Sequence, residues 1–207
     1  MTGIQIDPTD DPRIVRISIT PYDGPPPKSL TEALALEIIL SALSDHHSDD
    51  LILALDSISS KDAYFQIIQS AREIGSTPPH FRLCFRTAWS VRSHIIREIV
   101  DDDDLIRATL RILLPPYHGT AQTLYRGEQA LRFRGGRLGF NWSSNKSTAE
   151  QFARGLCSDY EGGGILLTAF APANAIFTGP GEHSNWMGEA EFIVDPTLLS
   201  DIRELRV

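Results

Sequence analysis

Leu113-Leu114-Pro115-Pro116-Tyr117-His118-Gly119-Thr120 is where the pattern of this chain changes. Upstream, apolar residues recur at helical spacing; downstream they fall in short runs bounded by Gly, Pro, Asn and Ser. Paired prolines end a helix and restrict the residue before them, so the junction divides two kinds of structure. Working back from it, residues 105–114 carry Leu105, Ile106, Ala108, Leu110 and Ile112 on a helix opened by the aspartate block 101–104. Carboxylates suit the electropositive start of a helix. Four adjacent ones cannot converge on one metal ion, and no metal is expected. Residues 80–99 continue helically, with Leu83, Trp89, Val91, Ile95 and Ile96 as expected core anchors. A helix over 61–73 has Ala63, Phe65, Ile67, Ile68 and Ala71 as its stripe and Gly75 as its stop. A shorter one is expected over 49–55. Ser29 and Glu32 stand at capping-box spacing before the apolar run 33–43, which predicts a helix from Ser29. Residues 1–28 are rich in Pro, Gly and Asp, with one strand expected over 14–19 and a break at Gly24-Pro25-Pro26-Pro27.

Working forward, residues 120–125 read as a strand ending at Arg126-Gly127, and 128–138, with Gly135-Gly136, as a loop. Residues 138–143 read as the next strand. Ser147 and Glu150 repeat the capping-box spacing and open a short helix through Phe152 and Ala153. Strands are expected over 165–170 and 175–178, then a Gly-Pro-Gly loop over 179–188. Residues 189–194 alternate as a strand, which puts Glu189 and Glu191 on one face. A last strand or short helix covers 198–205. The prediction is an α+β chain: an N-terminal extension (1–28), a helical bundle (29–116) and a compact mixed or mainly β domain (117–207).

The chain has 207 residues and a formal net charge of −8, with ordinary apolar content. No apolar run approaches the roughly 20 residues a membrane-spanning helix needs, so no membrane partner is expected. The start, MTGIQIDPTDDPR, has neither the basic beginning nor the apolar centre of a signal peptide. Cytoplasmic residence, or delivery as an effector without a cleaved signal, is the expectation. Cys84 and Cys157 are too few for a disulfide framework and are expected as buried thiols. The charge is uneven. Within 126–154, Arg126, Arg132, Arg134, Arg137, Lys146 and Arg154 face only Glu128 and Glu150. Such an island suits a phosphate-bearing ligand as well as a solvated loop. The acidic whole disfavours non-specific binding along nucleic acid.

Three segments in order carry chemistry: Tyr125-Arg126-Gly127, Trp142-Ser143-Ser144-Asn145 and Glu189-Ala190-Glu191. A carboxylate beneath a ribose ring stabilises the positive charge that develops when a glycosidic bond breaks, and a second can orient or activate a nucleophile. An arginine fork suits phosphate oxygens. A serine can bond a carboxylate and set its rotamer. Gly127 would let the backbone approach a planar amide. Each segment alone also fits a bland account: a solvated strand edge, a surface arginine, a turn serine, a core tryptophan.

Taken in order, the segments resemble the catalytic core of mono-ADP-ribosyltransferases of the arginine–serine–glutamate class, related to the clostridial and cholera-type toxins. Arg126 in TLYRG matches the arginine, Trp142-Ser143-Ser144-Asn145 the aromatic-hydroxyl segment, and Glu189-Ala190-Glu191 in GEAEFIVDP the Glu-x-Glu pair. STAEQFA (147–153) looks like the helix that follows in many bacterial and phage members. Asn145 departs from the family's last serine. The resemblance covers about 120–207 and implies an ADP-ribosyltransferase-like fold with NAD as co-substrate. It implies that Arg126 secures the NAD phosphates and the strands, that Ser143 positions Glu191, that Glu191 contacts the nicotinamide ribose, and that Glu189 steers transfer to an arginine side chain. Gly127 and Trp142 would join the NAD site, with Phe140, Tyr160 or Phe170 stacking on the nicotinamide. The loop holding His183, Ser184, Asn185 and Trp186 would recognise the acceptor, a protein or a nucleic acid. A toxin of this kind implies a neutralising partner. NAD hydrolysis with water as acceptor and a non-enzymatic binding module are the competing functions.

Overall fold

A computed structural model describes residues 4–7, 16–19 and 30–206. Ile4–Asp7 (β1) and Arg16–Ile19 (β2) pair antiparallel. The strand expected over 14–19 is therefore present from Arg16; its first two residues, the proline break and Ser29 lie outside the described residues.

Five helices follow: Glu32–Leu43 (α1), Leu51–Ser57 (α2), Lys61–Ile74 (α3), Pro79–Val100 (α4) and Asp103–Leu113 (α5). The cap of α1 is Thr31, whose Oγ1 accepts from the Leu34 N–H at 3.4 Å. The expected capping box of Glu32 with Ser29 lies outside the described residues. The Glu32 carboxylate accepts from the Ser59 N–H at 2.8 Å and the Ser60 hydroxyl at 2.5 Å, tying α1 to the start of α3. α3 ends as expected at Gly75, in the left-handed region at φ 75°. Its stripe takes Tyr64, while the expected Phe65 is 46% exposed. On α4, Phe81, Phe85 and Trp89 recur at four-residue spacing and are buried, whereas Leu83 and Val91 face out. The aspartate block behaves as read. Asp102 caps α5 by accepting from the Leu105 N–H at 2.9 Å, and Asp103 accepts from Arg97 Nε and Nη2 at 2.8 and 2.6 Å.

The second half holds Gln122–Gln129 (β3), Ala130–Arg134 (α6), Asn141–Ser143 (β4), Lys146–Arg154 (α7), Gly164–Ala171 (β5), Ile176–Thr178 (β6), Glu182–Trp186 (α8), Glu191–Val194 (β7) and Ser200–Leu205 (β8). They build an open antiparallel sheet of six strands, ordered β6-β7-β4-β3-β5-β8. The chain is thus a bipartite α+β structure, a helical stretch α1–α5 followed by a mixed region around this sheet. Four expectations are corrected. β3 does not end at Arg126-Gly127 but runs on to Gln129. The expected loop over 128–138 contains α6, and the loop over 179–188 contains α8. The cap of α7 is Asn145, not Ser147: its Oδ1 accepts from the Ser147 N–H at 3.0 Å.

Two packing facts position the site. The apolar cluster of α1–α5 also takes in Phe140, Phe177 and Ile193, so the helices and one face of the sheet share a core. α7 lies tightly on β3. A Cβ at Gly127 would stand 2.6 Å from the Ala149 carbonyl oxygen and 2.8 Å from Phe152 Cβ. Glycine is required there by the helix crossing. Among the described residues no helix is long and apolar enough to cross a membrane.

Candidate active site

A cleft of about 600 Å³ is lined by α4, β3, α6, β4, α7 and the approach to β7. That volume falls within the roughly 300–1,000 Å³ of small-molecule sites. Arg126, Gly127, Trp142, Ser143, Glu189 and Glu191 all line it, so residues far apart in sequence meet in one cleft. Sheet register explains how. Tyr125 pairs with Ser143 on β4, and Ser143 pairs with Glu191 on β7.

Glu191 is the chemical centre. It is 9% exposed and its two carboxylate oxygens have separate donors. The Ser90 hydroxyl donates to Oε1 at 3.0 Å, and Asn141 Nδ2 donates to Oε2 at 3.1 Å. The Trp89 indole N–H donates to Asn141 Oδ1 at 3.1 Å, which fixes the amide so that its NH₂ meets the carboxylate. Burial pushes the Glu191 carboxyl above its ordinary value. The Asn141 and Ser90 hydrogen bonds and the Arg86 charge oppose that rise, and the Glu189 charge adds to it. The backbone is pinned as well: the Glu191 N–H donates to Ser184 Oγ at 2.7 Å. Ser184, in the segment expected to recognise an acceptor, is buried and serves the glutamate's own strand.

The glutamate pair is arranged differently from the expected strand alternation. β7 begins at Glu191, and Ala190 turns the backbone at φ 45°, a left-handed conformation unusual for alanine. Glu189 therefore precedes the strand, yet it lines the same cleft. Ser143 does not bond the Glu191 carboxylate. Its hydroxyl donates to the Glu189 backbone carbonyl at 2.5 Å and accepts from the Asn145 N–H at 2.9 Å. Ser143 thus holds the turn that carries the pair, and Ser90 and Asn141 hold the carboxylate.

Arg126 is built into the wall. Its Nε donates to Glu128 Oε2 at 2.7 Å and its Nη1 to the Asn141 carbonyl at 2.5 Å, and the guanidinium lies against Gly139. Glu128 is 1% exposed and also accepts from the Gly139 N–H at 3.0 Å and the Gln129 N–H at 2.9 Å. Burial pushes its carboxyl up, but Arg126 and these donors outweigh burial and hold it below the ordinary range. Trp142 is buried, its indole N–H donating to the Gly139 carbonyl at 2.9 Å, so it contributes core more than an open face. Of the candidate stacking rings, Phe140 is buried edge-on against Trp89, Tyr160 stands exposed at the cleft, and Phe170 lies outside the lining. Trp186 is 81% exposed on α8 and lies outside the lining; the side chain of His183 lies outside the described residues.

Sequence reasoning missed Ser90, Asn141 and Arg97, which line the cleft, and named Arg132 and Glu128, which also line it, only as members of the basic island. Asn141 carried a signal, because asparagine is disfavoured inside a strand. Ser90 carried none: a serine on a helix says nothing of what it faces. Cys84 and Cys157 are free and half-buried, and burial pushes both thiols up. Among the described residues no group of three or more His, Cys, Asp or Glu could hold a metal ion. No family model matches this chain, and neither a curated protein nor a solved structure matches it.

Proposed function

We propose that this protein is a mono-ADP-ribosyltransferase that transfers ADP-ribose from NAD to a macromolecular acceptor and releases nicotinamide. The observation that carries this reading is a buried carboxylate, Glu191, held at both oxygens by Ser90 and Asn141 within a cleft that also presents arginines. The cleft is polarised. Glu189 and Glu191 line it with negative charge, and Arg97, Arg126 and Arg132 also line it, the first two paired with Asp103 and Glu128. NAD has a matching pattern, a cationic nicotinamide ring joined through ribose to an anionic diphosphate.

In this mechanism the bond between the nicotinamide nitrogen and ribose C1 breaks, and its electron pair leaves with nicotinamide. Glu191, already oriented, stabilises the oxocarbenium-like ribose without reorganising. A nucleophile then attacks C1, and its proton passes to Glu189 or to water. An arginine side chain of a protein is the first acceptor class, because Glu189 can orient a guanidinium. Arg126 ties β3 to the Asn141 backbone and shapes the wall on which the dinucleotide lies.

The test is incubation with NAD labelled in the adenylate moiety, with and without cell lysate. Transfer of label to macromolecules with nicotinamide release supports the reading. Free ADP-ribose alone would make the protein an NAD glycohydrolase. No label transfer, no nicotinamide release and no thermal shift at millimolar NAD would leave a binding module.

A further inference from the structure

Arg132 is the one arginine among those lining the cleft whose side chain makes no hydrogen bond or ion pair among the described residues. Arg97 is spent on Asp103, and Arg126 on Glu128 and the Asn141 carbonyl. Arg132 follows β3 on α6 and is half-buried. Its surroundings hold Glu128 but also the like charges of Arg97, Arg126 and Arg137. The two nearby carboxylates already have their own arginines, so one positive charge is left unbalanced, and it faces the cleft. A partly buried cation in that position gains from an anion that displaces water and supplies oxygens to its fork.

Position selects the kind of anion. Tyr125, Ser143 and Glu191 lie on one row across the sheet. β3 continues past that row to Gln129, roughly 13 Å further at about 3.3 Å per residue, and α6 follows. A ligand that reaches from Glu191 toward Arg132 must be elongated, with its electron-poor sugar at one end and its anionic part at the other. We infer that Arg132 is the diphosphate anchor of this cleft, the side chain that holds the diphosphate of a dinucleotide while Glu191 meets its ribose. The inference rests on the transferase reading for the dinucleotide, but the anion site stands on the arginine alone. It also divides labour between two arginines: Arg126 braces the wall and Arg132 grips the ligand.

The experiment uses the full chain and inorganic pyrophosphate, titrated calorimetrically into wild type, Arg132→Gln, Arg132→Lys and the control Arg203→Gln. Arg203 sits on β8 at the far edge of the sheet with its side chain 74% exposed. Loss of a charge-assisted fork weakens binding by about tenfold or more. Arg132→Gln should therefore lose pyrophosphate by about that factor, Arg132→Lys should fall between, and Arg203→Gln should match wild type. The KM for NAD should rise in parallel with little change in kcat. Should Arg132→Gln melt early, the lysine variant, which keeps the charge, carries the test. Pyrophosphate bound equally by wild type and both Arg132 variants, or not bound by wild type, overturns the inference. NAD turnover with unaltered KM in Arg132→Gln also overturns it while leaving the transferase reading intact. Pyrophosphate binding lost in Arg132→Gln without any NAD turnover in wild type keeps the anion site and removes the transferase.

Discussion

Replacing Glu191 by glutamine should give a protein that is more stable at neutral pH and almost inactive. The carboxylate is 9% exposed and accepts one hydrogen bond at each oxygen, from Ser90 at 3.0 Å and Asn141 at 3.1 Å. A glutamine can keep both. Its oxygen takes the Asn141 NH₂, and its own NH₂ faces Ser90, whose hydroxyl turns to accept. The substitution therefore removes charge and little else. For turnover, losing a preorganised electrostatic group of this kind costs about 2.7–4 kcal/mol, which is about 100-fold or more in rate. For stability the sign is opposite. Burial raises the Glu191 carboxyl above its unfolded value, so the unfolded chain ionises first as pH rises. The stability this group contributes is present below the unfolded pKa and is lost as pH rises through the raised native one. Glutamine has no such loss. Thermal melts of the two proteins should converge at or below about pH 4, and the variant should melt higher at about pH 7. Nicotinamide release measured beside the melts completes the assay. Retention of more than about a tenth of wild-type turnover would remove Glu191 from the chemistry. A variant less stable than wild type at neutral pH would refute the buried charge.

The contrast between what was legible and what was not has a physical basis. Helix existence in the first half followed from apolar periodicity and from Gly75, Pro79 and the aspartate block, all local signals. Which residues of α4 turn inward did not follow, because the cleft takes one side of that helix; Val91 reads as core by type yet is 55% exposed at the cleft. The order Arg126, Ser143, Glu191 was legible because sheet register brings the three segments side by side. The roles within that order were not. Ser143 and the Glu191 carboxylate share a register row, but the hydroxyl reaches the nearer Glu189 carbonyl, and the carboxylate is met by Ser90 from a helix a hundred residues earlier. Nothing local to either segment encodes that meeting. The shared core of α1–α5 and the sheet does, through Phe140 and Ile193, the neighbours of Asn141 and Phe192 in sequence. The helical stretch is therefore part of the site: without α4 the glutamate loses the Ser90 donor, and Asn141 loses the Trp89 indole that orients it.

Four further substitutions test these assignments. Gly127→Ala should destabilise by about 1–3 kcal/mol or more, since its methyl would meet the α7 backbone at Ala149; an unchanged melting temperature would contradict the tight crossing. Ser90→Ala removes a hydrogen bond to a charged group, worth about 1.5–3 kcal/mol. Turnover should drop about tenfold or more, and the acidic limb of the pH–rate profile should move to higher pH, because the ionised form loses a donor; an unmoved limb refutes the role. Arg126→Lys keeps charge but cannot serve Glu128 and the Asn141 carbonyl together, so melting temperature and NAD turnover should fall jointly, and preservation of both would make the bridge dispensable. Glu189→Gln should harm transfer far more than hydrolysis. Ser143 holds the Glu189 carbonyl, not its carboxylate, so the substitution leaves the turn in place. Its charge also raises the Glu191 carboxyl, so removing it favours the ionised form of Glu191 and should sustain bond cleavage at lower pH. Comparing nicotinamide release with and without acceptor separates the two effects. Equal losses in both would place Glu189 in NAD binding or folding; a selective loss of transfer identifies it as the group that receives a basic acceptor.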